Sequence, residues 1–211
     1  MAEVRTIRAG NTRELILSAA ERLFAERGLF AVSNRQVSEA AGQGNNAAVG
    51  YHIGTKTDLI GAILRRHAEP MEHLRRQLVF RHDGSRAVRD WVECLVRPYT
   101  DHLATLGSPS WYARFAAQVV TDPLHRALIV TAALDTPTVQ AVVAGLDACL
   151  PELPRPVRKA RSAMMRNLVV HTCAEQELRL ATGTGDPATA WRATGTELVD
   201  ALTGLLAAPV G

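Results

Sequence analysis

The sequence predicts an all-α protein, on three observations. Strand signals are nearly absent: β-branched runs are short and lie inside Ala-, Leu- and Arg-rich segments, a composition that favours helix. Apolar residues recur at helical spacing along most of the chain. Helix-start signals recur ahead of those segments, as a capping residue followed either by proline or by an acidic or Gln partner. With 211 residues and 47% hydrophobic content, the chain can bury a sizeable core in one large or two small domains.

The formal net charge of +3 is a mild bias toward anionic partners. The three cysteines, Cys94, Cys149 and Cys173, are widely spaced and form no CxxC, which argues against a zinc site or a disulfide framework. A reducing cytoplasm fits them best. Met1–Gly10 has no apolar core of a signal peptide, and no apolar run has the length to span a bilayer. The expectation is a soluble cytoplasmic protein that needs no membrane, no cofactor and no metal.

Met1–Gly10 reads as a polar arm with Arg5 and Arg8, more readily a frayed terminus than a strand of contacts to DNA. Asn11 with Glu14 can cap the first helix. Its apolar face is Leu15/Ile16, Ala19/Ala20 and Leu23/Phe24, and Gly28 ends it. Ser33 and Gln36 form a capping box for the second helix, whose inward residues are Val37, Ala40 and Ala41. Gly42 and Gly44 bracket a tight connection. A short third helix is expected from about Asn46 to His52, and Thr55 with Asp58 caps a fourth. Two short helices joined by a glycine-bearing turn have the form of a helix-turn-helix.

The fourth helix carries Leu59, Ile60, Ile63 and Leu64, then Leu74 and Leu78; Pro70 is expected to kink or break it. Arg81–Gly84 is a polar turn. From there Ser108-Pro109, Asp122-Pro123, Thr136-Pro137 and Asp186-Pro187 each pair a capping residue with a proline suited to the first helical position. Pro98 is a further expected kink. Pro151–Pro156 is a break, followed by a long helix from about Val157 to Leu180 and a last one from Pro187 to about Leu206. Those two should pack antiparallel. Their apolar residues lie on more than one side, so a homodimer through the last two helices would cover the surplus.

The segment from Leu15 to Leu59 resembles the TetR family of transcriptional regulators. The matching residues run from Ala19 to Gly28 as AAERLFAERG, then Ser33, Val37, Ala40-Ala41-Gly42, Tyr51-His52, Lys56 and Leu59. Their order and spacing together are specific, and they cover about the first quarter of the chain. The connection from Gly42 to Tyr51 is longer than the commonest pattern and Asn-rich, and Ile53 stands where Phe is usual. The resemblance implies a dimeric, all-helical protein that binds a double-stranded DNA operator and is released by a small-molecule effector. It implies an N-terminal three-helix DNA-binding domain, residues 1–58, joined by a long helix to a C-terminal ligand-binding and dimerisation domain, residues 59–211.

A reading helix needs polar edges for bases and other groups for phosphates. Asn45 and Asn46 can pair with adenine or serve as caps; Ala47 and Ala48 can meet thymine methyls or simply pack. Tyr51 and His52 suit phosphate. Lys56, in the first turn of the fourth helix, opposes the helix dipole, which favours a phosphate role. Ser33, Arg35 and Gln43 complete the candidate edge. For the effector, Trp91, Tyr99, Trp111, Phe115, Met164, Asn167 and His171 could line a cavity between helices, although an ordinary core accounts for any one of them. The competing readings are a helical enzyme and a protein-binding adaptor. A di-iron bundle would need paired Glu-x-x-His motifs, whereas Asp122-x-x-His125 stands alone; no HExxH, GxSxG or phosphate-loop pattern occurs, so no enzyme is expected.

Overall fold

A computed structural model describes residues 2–45, 47–129 and 136–210, with side chains from Asn11 onward. Among these residues the secondary structure is helical throughout, without strands. In chain order the helices are α1 (Ala2–Arg27), α2 (Asn34–Ala40), α3 (Ala48–His52), α4 (Lys56–Arg81), α5 (Val88–Thr105), α6 (Tyr112–Thr121), α7 (Pro137–Cys149), α8 (Arg155–Thr182) and α9 (Pro187–Ala207). Residues 126–129 are also helical. No helix is long and apolar enough to cross a membrane among the described residues.

Several helix ends follow from the local chemistry expected of them. Ser33 Oγ accepts from Gln36 N while Gln36 Oε1 accepts from Ser33 N at 2.8 Å, and Thr55 and Asp58 repeat the arrangement at the start of α4. Thr136 and Asp186 cap α7 and α9 with proline at the next position. Other ends differ. Helix α1 runs back through Asn11 to Ala2, so Asn11 is not its cap. Ser108-Pro109 is a cis peptide ahead of α6, which starts at Tyr112 instead. Asp122 closes a turn by accepting from Leu124 N and His125 N. Neither proline expected to break a helix does so: α4 continues through Pro70 and α5 through Pro98. Pro70 is exposed, so the Arg66 carbonyl it leaves free can take water.

The core is one continuous cluster. Phe24, Leu59, Ile60 and Ile63 join Val92, Leu103, Phe115, Trp191, Leu198 and Leu202. Helix α9 packs along α5, α8 along α6, and α4 along α5, while α1 packs on α6 as well as on α2. The first three helices are therefore seated on the body by α6 and by α4, which runs across the expected boundary at residue 58.

The start of α6 is held from a distance. Its N-cap residue, Trp111, supplies no side-chain bond. Instead Glu177 of α8, 1% exposed, accepts from Ala113 N and Arg114 N, both at 3.0 Å, from Ser110 Oγ and from Arg114 Nε at 3.1 Å. A carboxylate on the free N–H groups of a helix start is well matched in hydrogen bonding and in dipole. Because Phe115 of α6 stacks on Phe24 of α1, Glu177 indirectly seats α1.

Candidate functional site

The turn between α2 and α3 is built by backbone geometry. Gly42 has φ of +68°, its N–H donates to Glu39 O, and Gln43 N donates to Ser38 O. This left-handed ending satisfies carbonyls that α2 would leave open, and a Cβ at Gly42 would resist it. Ser38 then joins the two helices. Its buried hydroxyl donates to Asn34 O and accepts from Val49 N across the turn. The sequence reading did not single out Ser38; its cue is a small polar residue beside Val37 on the inward face of α2. A further tie runs from Asn34 Nδ2 to Gly54 O at 3.5 Å.

Helix α3 is shorter than expected and starts at Ala48, with Ala47 as its N-cap residue. Asn45 Oδ1 accepts from Ala47 N at 2.9 Å, which closes a turn just ahead of α3, and no side chain caps the helix itself. Asn46 lies outside the described residues, as do the side chains of Arg5 and Arg8. Ala48 is buried with Val49 against the core, so packing accounts for it and it has no face for a thymine methyl; Ala47 is exposed. Tyr51 is 83% exposed, and its ring meets that of half-buried His52 edge-on at 4.9 Å. A large aromatic ring so exposed on a pinned helix is free for a partner.

The remaining candidates are partly engaged. Ser33 is occupied in its capping box. Arg35 Nε pairs with Glu39 Oε1 at 2.8 Å along exposed α2. Gln43 Nε2 donates to Ala41 O. Lys56 Nζ donates to Leu29 O at 2.8 Å, which ties the start of α4 to the chain leaving α1. An ammonium has three donors, so this bond fixes Lys56 and leaves two for another acceptor.

The candidate effector residues do not converge on one cavity. Met164, Asn167 and His171 are exposed on α8, which corrects the expectation that they line a cavity. The reason is helical register: Val170, Cys173 and Glu177 turn inward, while Met164, Leu168, His171 and Leu178 share the opposite face. Phe115 is core. Tyr99 is half-buried, and its buried hydroxyl has no partner among the described residues. Trp91 is buried, donates to Ser85 O and borders a cavity of about 460 Å³ together with Val79, Gly145 and Cys149. Trp111 borders a second cavity, of about 290 Å³, between α1, α4 and α5.

That second cavity is backed by a buried polar chain. Glu21 Oε2 lies 2.8 Å from His67 Nε2, and His67 Nδ1 lies 2.8 Å from His102 Nε2. Arg66 Nη2 also bonds Glu21, and Tyr112 stacks on His67 with centroids 3.7 Å apart. Burial first, and then His67, hold His102 down to about 4. Unfolding returns this group to roughly 6.5, so between those values the unfolded chain binds a proton the folded one lacks. Its contribution is complete above pH 6.5 and is lost as pH falls toward 4. Urea titrations should show stability dropping by roughly 1–2 kcal/mol from pH 7 to pH 5, with a smaller drop in His102→Gln. An equal drop in the variant would assign the slope elsewhere.

A glycine-turned helix pair with an exposed aromatic ring, seated on a larger helical body, has the form of a helix-turn-helix domain. Residues 16–63 match the family model for bacterial regulatory proteins of the tetR family. Residues 93–204, over half of the chain, match the model for a tetracyclin repressor-like C-terminal domain. The chain belongs to the tetR family of transcriptional regulators. A solved TetR-family regulator from Streptomyces coelicolor A3 aligns over 93% of this chain and 95% of its own, with 20% identity and a TM-score of 0.47. No curated protein matches.

Proposed function

We propose that this DNA-binding regulator is a repressor that holds a palindromic operator as a homodimer and is released by a small molecule. Residues 1–58 form its DNA-binding domain, and residues 59–211 its effector and dimerisation domain. The observation that carries the reading is exposed Tyr51 on α3, which Ser38 pins to α2. Tyr51 and His52 are assigned to phosphate, with Lys56 beside them. Ser33, Arg35 and Gln43 flank the duplex backbone; Asn45, Asn46 and Ala47 approach the bases.

Dimerisation is assigned to α8 and α9. Met164 and Leu178 are 56% and 51% exposed, and with Leu168 they form an apolar stripe on the outer face of α8. A second copy would cover it. Sedimentation velocity should give a dimer, and Leu168→Arg should give a folded monomer. That variant should also bind operator at least about tenfold more weakly, since two linked sites reinforce each other. A Leu168→Arg protein that remained dimeric would move the interface to another face. Operator binding itself is tested by a mobility shift on DNA upstream of the coding region, with specific and random competitors.

A further inference from the structure

The Asp122-x-x-His125 pair, which matched no catalytic motif, sits at the joint between the two parts of the chain. After α6 the chain turns at Asp122, whose Oδ1 accepts from Leu124 N at 2.8 Å and from His125 N at 3.0 Å. The same oxygen lies 3.0 Å from His125 Nδ1. Burial works against a charge on Asp122, but the backbone donors of Leu124 and His125, and then the His125 ring, outweigh it and hold the carboxyl below its usual range. Asp122 is therefore a carboxylate and accepts, so Nδ1 of buried His125 carries the proton of that contact. The turn thus fixes the ring, and its other nitrogen, Nε2, lies 3.3 Å from Thr57 Oγ1 of α4. The contact holds in either charge state of the ring. A neutral imidazole accepts from the Thr57 hydroxyl, and an imidazolium donates to it.

Thr57 belongs to the block that carries the candidate DNA contacts. It is the second residue of α4, next to Lys56. Lys56 Nζ donates to Leu29 O and Asn34 Nδ2 to Gly54 O, so the first turn of α4 is tied to the exit of α1 and to α2. Elsewhere in the joint α6 meets α1 through an apolar contact, Phe115 on Phe24 with ring centroids 6.0 Å apart. Apolar contact is non-directional, whereas a hydrogen bond demands a distance and an angle. The bond between Thr57 and His125 joins residues 68 positions apart and supplies that directional constraint. Thr57 is itself exposed, so its hydroxyl is not there to fill the core.

We infer that His125 is a positioning residue for operator binding: held by Asp122, it anchors Thr57 and so sets the angle at which the first three helices meet the body. Without the bond the DNA-binding block samples orientations that two linked subunits cannot place on one duplex, and the fraction competent to bind falls. This assignment rests on the reading that the protein holds an operator as a dimer.

The test measures affinity of the full chain for a native DNA fragment, from upstream of the coding region, that the parent protein shifts in preference to random DNA. Thr57→Val removes the hydroxyl at nearly constant shape. A Gln amide reaches as far as imidazole Nε2, whereas an Asn amide reaches only as far as Nδ1. His125→Gln therefore keeps a partner for Thr57, and His125→Asn keeps only the contact to Asp122. Thr57→Val and His125→Asn should each weaken binding by at least about threefold, and His125→Gln should stay within about twofold of the parent. The double variant Thr57→Val/His125→Asn should bind no more weakly than His125→Asn alone, because both changes remove one bond. The salt slope should stay at the parent value in all of them, since no charge leaves a phosphate. Urea transitions check that each variant folds, and should His125→Asn fail to fold, the exposed Thr57→Val carries the test. Parent affinity in Thr57→Val, equal losses in the Asn and Gln variants, additive losses in the double variant, or a salt slope lower by about 1 in His125→Asn would each overturn the assignment while leaving the operator reading intact. A parent protein that prefers no native fragment would overturn both.

Discussion

Glu177→Ala is expected to lower the unfolding free energy by about 3–5 kcal/mol, the range for breaking a buried ion pair from one side. The loss has three parts in this protein. Arg114 would be left largely buried without its carboxylate. The N–H groups of Ala113 and Arg114 at the start of α6 would lose their acceptor, and so would the buried Ser110 hydroxyl. Glu177→Gln keeps a carbonyl acceptor but not the charge, and should lose roughly 1–3 kcal/mol. Urea midpoints at unchanged slope would measure both. An alanine variant within about 0.5 kcal/mol of the parent would mean that water replaces Glu177 at no loss, and that α6 is held by packing alone. Because α6 carries Phe115 against Phe24, hydrogen exchange in α1 should also rise in the alanine variant.

Tyr51→Ala should weaken operator binding by about ten- to a hundredfold, which corresponds to the 1.5–3 kcal/mol of a hydrogen bond to a charged group. Stability should stay within about 0.5 kcal/mol of the parent, since the ring is exposed in the free protein. The phenol is neutral, so the salt dependence should be nearly unchanged. Lys56→Ala should behave differently. Removing a charge at a phosphate lowers the salt slope by about 1. It also removes the bond to Leu29 O, worth about 1 kcal/mol of stability. Full operator affinity in Tyr51→Ala would remove the tyrosine from the interface. An unchanged salt slope in Lys56→Ala would leave that residue with only its structural bond.

The all-α class, the helix order and the tetR family were legible in the sequence because they depend on local signals. Ser33-Gln36 and Thr55-Asp58 place two helix starts through short-range bonds, and Gly42 sits at the positive φ its turn needs. What could not be read depends on partners distant in the chain. Glu177 looks like an ordinary helical glutamate until α6 is set against α8; its only cue is its position on the face of Val170 and Cys173. The chain of Glu21, His67 and His102 joins residues far apart in sequence. Met164, Asn167 and His171 were misread for the same reason. Their helix has apolar residues on two sides, and composition alone does not say which side meets the body. Ala48 shows the limit at short range, because neighbouring positions on a short helix point in different directions: Ala47 faces solvent and Ala48 the core.

Hydroxyl-radical footprinting on native genomic fragments retained by the protein tests the account most directly. Two subunits, each presenting α3, should protect two patches on one face of the duplex, centred about 34 Å apart or a multiple of that distance. A single protected patch, or failure to prefer any native fragment over random DNA, would contradict it.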